Sequence, residues 1–166
     1  MNTQSTFSCA ITVPSLEKFQ EFGVSIGRLI PPSLVIALNG ELGSGKTTLV
    51  RSICQGLGCS SLEFVTSPTF VLMQEYQGRC TVNHLDVYRL DDESQFLDFG
   101  GDELLQNGNV VLIEWAEKIR NCLPNSRIDV FLEIVSQDER RISVSLIGDL
   151  VCPQILAFLS GFDASA

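Results

Sequence analysis

Residues 40–47 read Gly40-Glu41-Leu42-Gly43-Ser44-Gly45-Lys46-Thr47, a complete G-x-x-x-x-G-K-T run. Residue types at that spacing do one kind of chemistry: they wrap backbone N–H groups around phosphate oxygens. The glycines let successive amides turn inward, and a helix starting at the end of the run adds its free N–H groups and positive dipole end. Lys46 is spaced to reach β- and γ-phosphates, and the Thr47 hydroxyl to take one position on Mg²⁺. The binding set is therefore the loop itself, Glu41, Leu42, Gly43, Ser44, Gly45, Lys46, Thr47 and Thr48.

A phosphate loop needs an acid from a neighbouring strand to organise metal and water. Two candidates stand out. Glu114 directly follows the apolar run Val110-Val111-Leu112-Ile113, and Asp86 closes the segment Thr81 to Leu85. Both are candidates for Mg²⁺ and for hydrolysis. Ser67-Pro68-Thr69 reads either as a turn that starts a strand or as a segment whose Thr69 senses the γ-phosphate. His84 lies two residues before Asp86, so strand alternation puts both on one face, with packing or hydrogen bonding the default role for the imidazole. Trp115, the only tryptophan, is by default a core residue, though its place beside Glu114 makes it an optical reporter. Arg140 and Arg141 read as surface charges. Asp98-Phe99-Gly100 imitates a kinase triplet without the companion motifs, a coincidence.

These groups need a scaffold, and the hydrophobic pattern supplies one. Leu34-Val35-Ile36-Ala37-Leu38 is a buried strand leading into the loop, and Leu49, Val50, Ile53, Cys54 and Leu57 recur at helical spacing after it. Upstream, Phe7 to Val13 reads as a strand and Ser15 as the N-cap of a helix reaching about Leu29, stopped by Pro31-Pro32. Downstream, residues 69–76 and 80–87 read as two strands around a Gln77-Gly78-Arg79 turn. Asp91-Asp92-Glu93 opens an acidic helix start, and Asp102 to Gln106 a second short helix. Val110 to Ile113 is a strand buried on both faces. Ile128 to Val135 and Arg141 to Ile147 form a hairpin, and Pro153 to Leu159 a terminal helix. The order implies an α/β fold with a mixed sheet, parallel around the phosphate loop, with antiparallel hairpins attached.

Bulk properties narrow the class. The 166 residues fit one domain, 1–166, and 45% hydrophobic with 19% charged residues indicates a globular chain. Eleven Lys and Arg against 20 Asp and Glu give −9, which argues against a broad grip on nucleic acid but leaves room for RNA held by a partner. The six cysteines (Cys9, Cys54, Cys59, Cys80, Cys122, Cys152) form no C-x-x-C pair. The segment from Met1 to Pro14 has no basic residue, and no apolar run approaches membrane-spanning length. The expectation is a soluble, cytoplasmic protein with no membrane partner, monomeric when alone.

In order, G-E-L-G-S-G-K-T-T at 40–48, S-P-T-F at 67–70, H-L-D-V-Y-R-L at 84–90 and I-E-W at 113–115 resemble the TsaE family, formerly called YjeE. The resemblance runs from about residue 10 to 147 and leaves 148–166 unassigned. It implies a compact P-loop ATPase of the NTPase-like sandwich type. It further implies ATP or ADP with Mg²⁺ as cofactors and a role, with TsaB and TsaD, in making threonylcarbamoyladenosine at position 37 of tRNA, the tRNA being reached through that complex. Residue by residue, it implies that Lys46 and the loop hold phosphates and that Thr47 and Glu114 hold Mg²⁺. Asp86 would serve hydrolysis, Thr69 would lie in a nucleotide-responsive segment, and Trp115 would flank the metal. A nucleotide-contacting arginine on the last hairpin matches Arg140, with Arg141 one step away. Ala116 departs from the proline usual after I-E-W, which touches the local turn.

No arginine finger is evident in cis, and such a finger is worth about 10³–10⁵ in rate. The expectation is a feeble ATPase that partners complete. Two alternatives stay open: a small-molecule kinase on the same loop, and a nucleotide-gated adaptor without useful turnover. The lack of any N-K-x-D motif ranks a GTPase below both.

Overall fold

The computed structural model describes residues 5–60, 62–149 and 152–162. The first four residues of the basic-free N-terminal segment and the last four of the unassigned tail lie outside them. Seven strands form one mixed sheet: β1 (Ser5–Val13), β2 (Val35–Gly40), β3 (Met73–Gln77), β4 (Thr81–Asp86), β5 (Val110–Glu114), β6 (Arg127–Ile134) and β7 (Arg140–Ile147). Their order is β1-β7-β6-β2-β5-β4-β3. The four central strands β6, β2, β5 and β4 run parallel, and the β6–β7 and β3–β4 hairpins and β1 add antiparallel pairs.

Side-chain alternation splits the core into two layers. Ile36, Leu38, Val110 and Leu112 face one cluster, and Val35, Ala37, Val111 and Ile113 the other. Such runs are apolar at every position because both faces of a parallel sheet are covered. The first layer is closed by α1 (Leu16–Leu29), α2 (Lys46–Gly56) and α5 (Pro153–Gly161). The second is closed by α3 (Glu93–Asp98), α4 (Gly101–Gln106) and a 3₁₀ segment, Ala116–Cys122. Among the described residues no helix is long and apolar enough to cross a membrane.

The helices start where the sequence signals them. The Ser15 hydroxyl accepts from Lys18 N–H at 3.2 Å, and the Asp92 carboxylate accepts from the Ser94 and Gln95 amides. Backbones of α1 and α2 cross closely: a Cβ at Gly27 would stand 2.2 Å from the Ile53 carbonyl oxygen. At the C-terminal end of α1, Arg79 in the β3–β4 turn donates to the Gly27 carbonyl at 2.9 Å and to the Ile30 carbonyl.

One expectation shifts. The strand expected over 69–76 begins only at Met73, because the Val71 and Leu72 amides turn back to the Pro68 carbonyl (3.0 and 2.7 Å). That turn replaces ladder hydrogen bonds over residues 69–72. The tail that the resemblance leaves unassigned forms the terminal helix expected over Pro153 to Leu159 and belongs to the fold: α5 buries Ile155 and Leu159, and the Phe158 and Phe162 rings lie 5.8 and 5.4 Å from Phe22 of α1. Removing one such buried aliphatic side chain from a core costs about 2–5 kcal/mol, and losing the helix that carries both is expected to cost at least about 2 kcal/mol. Truncation after Gly148 should lower stability by that amount in urea titration; an unchanged midpoint would show α5 to be dispensable.

Candidate nucleotide site

The carboxyl ends of β2, β5 and β4 meet in register: Leu38 pairs with Glu114, and Glu114 with Asp86. Open α/β sheets bind ligands outside these ends. The Gly40–Thr47 loop leaves the end of β2 and returns into α2 through Gly45, whose φ of +107° suits glycine. Ser44 N–H bonds to the Glu41 carbonyl (3.1 Å) and Leu49 N–H to the Gly45 carbonyl (2.8 Å). The first-turn amides between them belong to the set that a helix cannot pair internally, and no side chain caps α2. The Ser44 hydroxyl is fully buried with no hydrogen-bond partner among the described residues.

Lys46 is 4% exposed. Its ammonium donates to the Gly40 and Glu41 carbonyls (2.7 and 2.9 Å) and stands 3.8 Å from the centre of the Trp115 ring. Burial pulls its pKa below the ordinary 10.5, while the Glu114, Glu117, Asp86 and Glu41 carboxylates act in the opposite sense.

Trp115 adopts φ +61°, unusual for a non-glycine residue, and its N–H bonds to the Leu38 carbonyl at 2.9 Å. The strand therefore turns sharply after Glu114, and the indole covers the lysine while packing, partly buried, against the second core layer. The Tyr88 ring centre lies 4.9 Å from that of Trp115, the two rings tilted by 47°. Ala116, where the resembling family has proline, is the first residue of the following 3₁₀ segment. A helix start accepts alanine and proline alike, so the departure leaves the turn intact.

Two buried acids complete the site. Glu114, 2% exposed, accepts from the Thr47 hydroxyl (2.8 and 3.0 Å) and from His84 Nε2–H (2.8 Å). His84 is fully buried and shares its face with Asp86, as alternation predicts. The Tyr76 hydroxyl donates to Gln74 Oε1 at 2.6 Å and lies 3.5 Å from His84 Nδ1, with its pKa pushed up to about 12 by burial. Asp86 Oδ2 accepts from the hydroxyls of Thr69 (2.6 Å) and Ser67, and Oδ1 from Tyr88 N–H (3.0 Å). The structure thus gathers Lys46, Thr47, Thr69, Asp86, Glu114 and Trp115 around one cleft of about 430 Å³. Sequence reading gives Ser67 a turn-forming role only, although its spacing from Thr69 puts two hydroxyls within reach of one carboxylate.

Arg140 and Arg141 part company. Arg140 Nε donates to the Ser44 carbonyl at 3.3 Å, whereas Arg141 is exposed on the hairpin. Arg140 also helps line a second cavity of about 230 Å³ behind the loop, with Leu16, Phe19, Ser44, Gln137 and Asp138. Sequence reading missed that cavity because it forms between α1 and the β6–β7 turn, far apart in the chain.

The donors at the main cleft are hydroxyl and carboxylate oxygens, the set a hard divalent cation takes. Among the described residues no three His, Cys, Asp or Glu side chains gather as a metal cage. Mg²⁺ characteristically uses one or two carboxylates and takes its remaining ligands from phosphates and water. The turned loop, the buried ammonium, the partnerless Ser44 hydroxyl and these oxygens fit a magnesium nucleotide.

Known proteins resemble this chain along most of its length. A family model described as threonylcarbamoyl adenosine biosynthesis protein TsaE matches residues 13–142. The chain is 37% identical over 131 residues to the tRNA threonylcarbamoyladenosine biosynthesis protein TsaE of Treponema pallidum, covering 79% of this chain and 96% of that one. It is 38% identical over 128 residues to the protein of the same name from Bacillus subtilis, covering 75% and 78%. Its fold matches the crystal structure of Bacillus subtilis YdiB with a TM-score of 0.74 at 27% identity, over 93% of this chain and 95% of that one.

Proposed function

The chain belongs to the TsaE family, and from that premise we propose that it is a Mg²⁺-dependent ATPase serving tRNA threonylcarbamoyladenosine biosynthesis. It hydrolyses ATP slowly alone and works with TsaB and TsaD, which hold the tRNA. The observation that carries this reading is the convergence of Thr47 and His84 on buried Glu114, beside Asp86, at the mouth of the phosphate loop.

Bound Mg²⁺–ATP supplies the transferable phosphoryl group and a divalent charge across its oxygens. The chain supplies positioning. Lys46 and the unpaired loop amides would hold the phosphates, and Thr47 and Glu114 would hold the metal. Asp86 presents a carboxylate to the attacking water, and its hydrogen bonds keep Ser67 and Thr69 at the cleft. We read Arg140 and the second cavity as the nucleoside end.

Slow turnover follows from charge. Lys46 is the one cation among the described residues lining the main cleft, so developing charge on the transferred group has no arginine to meet it. The absence of arginines there also disfavours a small-molecule kinase, which would need a basic lid. The test is Mg²⁺-dependent phosphate release from ATP by the chain alone and then with TsaB, TsaD and tRNA. Weak release that rises with the partners supports the proposal. Phosphate appearing on a small acceptor, or no release under either condition, overturns it.

His84 provides a separate check. As the group holding Glu114, it orients a metal-bearing carboxylate, and such outer partners are worth about 10–100-fold in metal affinity. His84→Ala should raise the Mg²⁺ concentration for half-maximal phosphate release by that factor. An unmoved half-point would remove this role.

A further inference from the structure

The turn that carries Ser67 and Thr69 to Asp86 ends in two apolar side chains facing water. Phe70 is 85% exposed and Val71 60% exposed. The backbone holds them there against ordinary preference: both following amides close on Pro68, and Leu72 takes φ +66°. Leu72 then accepts from Asp86 N–H at 3.0 Å, so the turn is fastened to β4 at Asp86 by backbone as well as by the two hydroxyls.

The side chain recorded on Phe70 is Arg89, its guanidinium carbon 4.2 Å from the ring centre. Among the described residues Arg89 has no ion pair. Next to it Tyr88 is half exposed, with the Lys118 ammonium 5.5 Å from its ring. This rim of the cleft joins apolar surface to two cations, on a chain whose net charge is −9.

We propose that the Phe70–Val71 turn and Arg89 form a docking face for a partner protein offering an apolar pocket rimmed by carboxylates, and that docking is felt at Asp86. The inference rests on the reading of Asp86 as the hydrolytic acid. Charge selects the occupant. A polyanion such as tRNA meets repulsion over the rest of this acidic chain, whereas a folded protein with a local acidic rim meets only the cationic patch. The exposed aromatic beside a stacked arginine supplies the residue types that dominate interface energies. A partner seated on Phe70 and Val71 bears on a turn bonded through Ser67, Thr69 and Leu72 to Asp86, so it biases the acid without entering the cleft.

The test uses the full chain with Arg89→Glu, Phe70→Ser and, as an exposed aromatic on the distant β6 strand, Phe131→Ser. TsaB with TsaD is the probe, and melting confirms folding. The parent chain should bind the probe, with affinity falling as salt rises. Arg89→Glu and Phe70→Ser should each weaken binding at least about tenfold, and Arg89→Glu should also flatten the salt dependence. Basal phosphate release should stay within about twofold in all three variants, and Phe131→Ser should bind as the parent does. Parent-like binding by both rim variants overturns the docking face alone. Intact binding with lost basal turnover in Arg89→Glu assigns Arg89 to the nucleotide and overturns it as well. Loss of tRNA binding only would give the face to nucleic acid. Failure of the parent chain to bind the probe removes the partnership proposed above, and the docking face with it.

Discussion

Lys46→Met is expected to raise the dissociation constant for Mg²⁺–ATP at least about a hundredfold while leaving the fold at least as stable as before. The two halves of that expectation have one cause. The ammonium is buried, satisfied by two carbonyls and an indole face, and pulled below its ordinary pKa by desolvation. A lysine whose folded pKa lies below its unfolded value of 10.5 costs stability throughout the range below the folded value. That cost fades as pH rises towards 10.5. Methionine keeps the length and the contact with Trp115 but removes the charge. The advantage of the variant in melting temperature should therefore be largest near neutrality and shrink in alkaline solution. Calorimetry gives the affinity and thermal unfolding at several pH values gives the stability. Parent-like affinity in the variant would detach Lys46 from nucleotide binding.

Asp86→Asn should separate binding from turnover. Its carboxylate accepts three hydrogen bonds, from Ser67, Thr69 and the Tyr88 amide, at 3% exposure. Asparagine keeps one acceptor oxygen and sets an amide nitrogen against either the two hydroxyls or the backbone N–H. The expected cost in stability is about 1–3 kcal/mol. Nucleotide affinity should stay within about threefold, because the groups that hold phosphates lie on the loop, while phosphate release falls at least about a hundredfold. The same variant decides between enzyme and adaptor. If it still supports threonylcarbamoyladenosine formation at the parent level, nucleotide occupancy alone suffices and the adaptor reading replaces the ATPase.

The loop, its strand and its helix were legible because their requirements are local. A backbone that must bend needs glycine, and a strand buried on both faces shows as an uninterrupted apolar run. Glu114 and Asp86 were legible for a related reason, since a carboxylate ending a buried strand demands partners. Where non-local contacts decide, sequence reading went astray or stopped. Phe70 and Val71 look like strand residues, yet the Pro68 carbonyl captures the next amides and turns both side chains out. Trp115 packs against the second core layer as its type suggests, but the left-handed backbone that also lays it beside Lys46 leaves no mark in the sequence. Residue type makes Arg140 and Arg141 alike as surface charges, and only the family resemblance favoured Arg140; hairpin register gives Arg140 the Ser44 carbonyl and Arg141 the solvent. The apolar face of α5 carried no label until its rings met Phe22.

The central claim is that one cleft holds a magnesium nucleotide through Lys46, Thr47 and Glu114. Trp115, the only tryptophan in the chain, reports on it directly, because the Lys46 ammonium lies 3.8 Å from its ring. Titration of the purified chain with ATP, with and without Mg²⁺, should give a saturable change in tryptophan emission that Mg²⁺ sharpens and Lys46→Met removes. Emission indifferent to ATP, with no heat of binding at the same concentrations, would contradict the account.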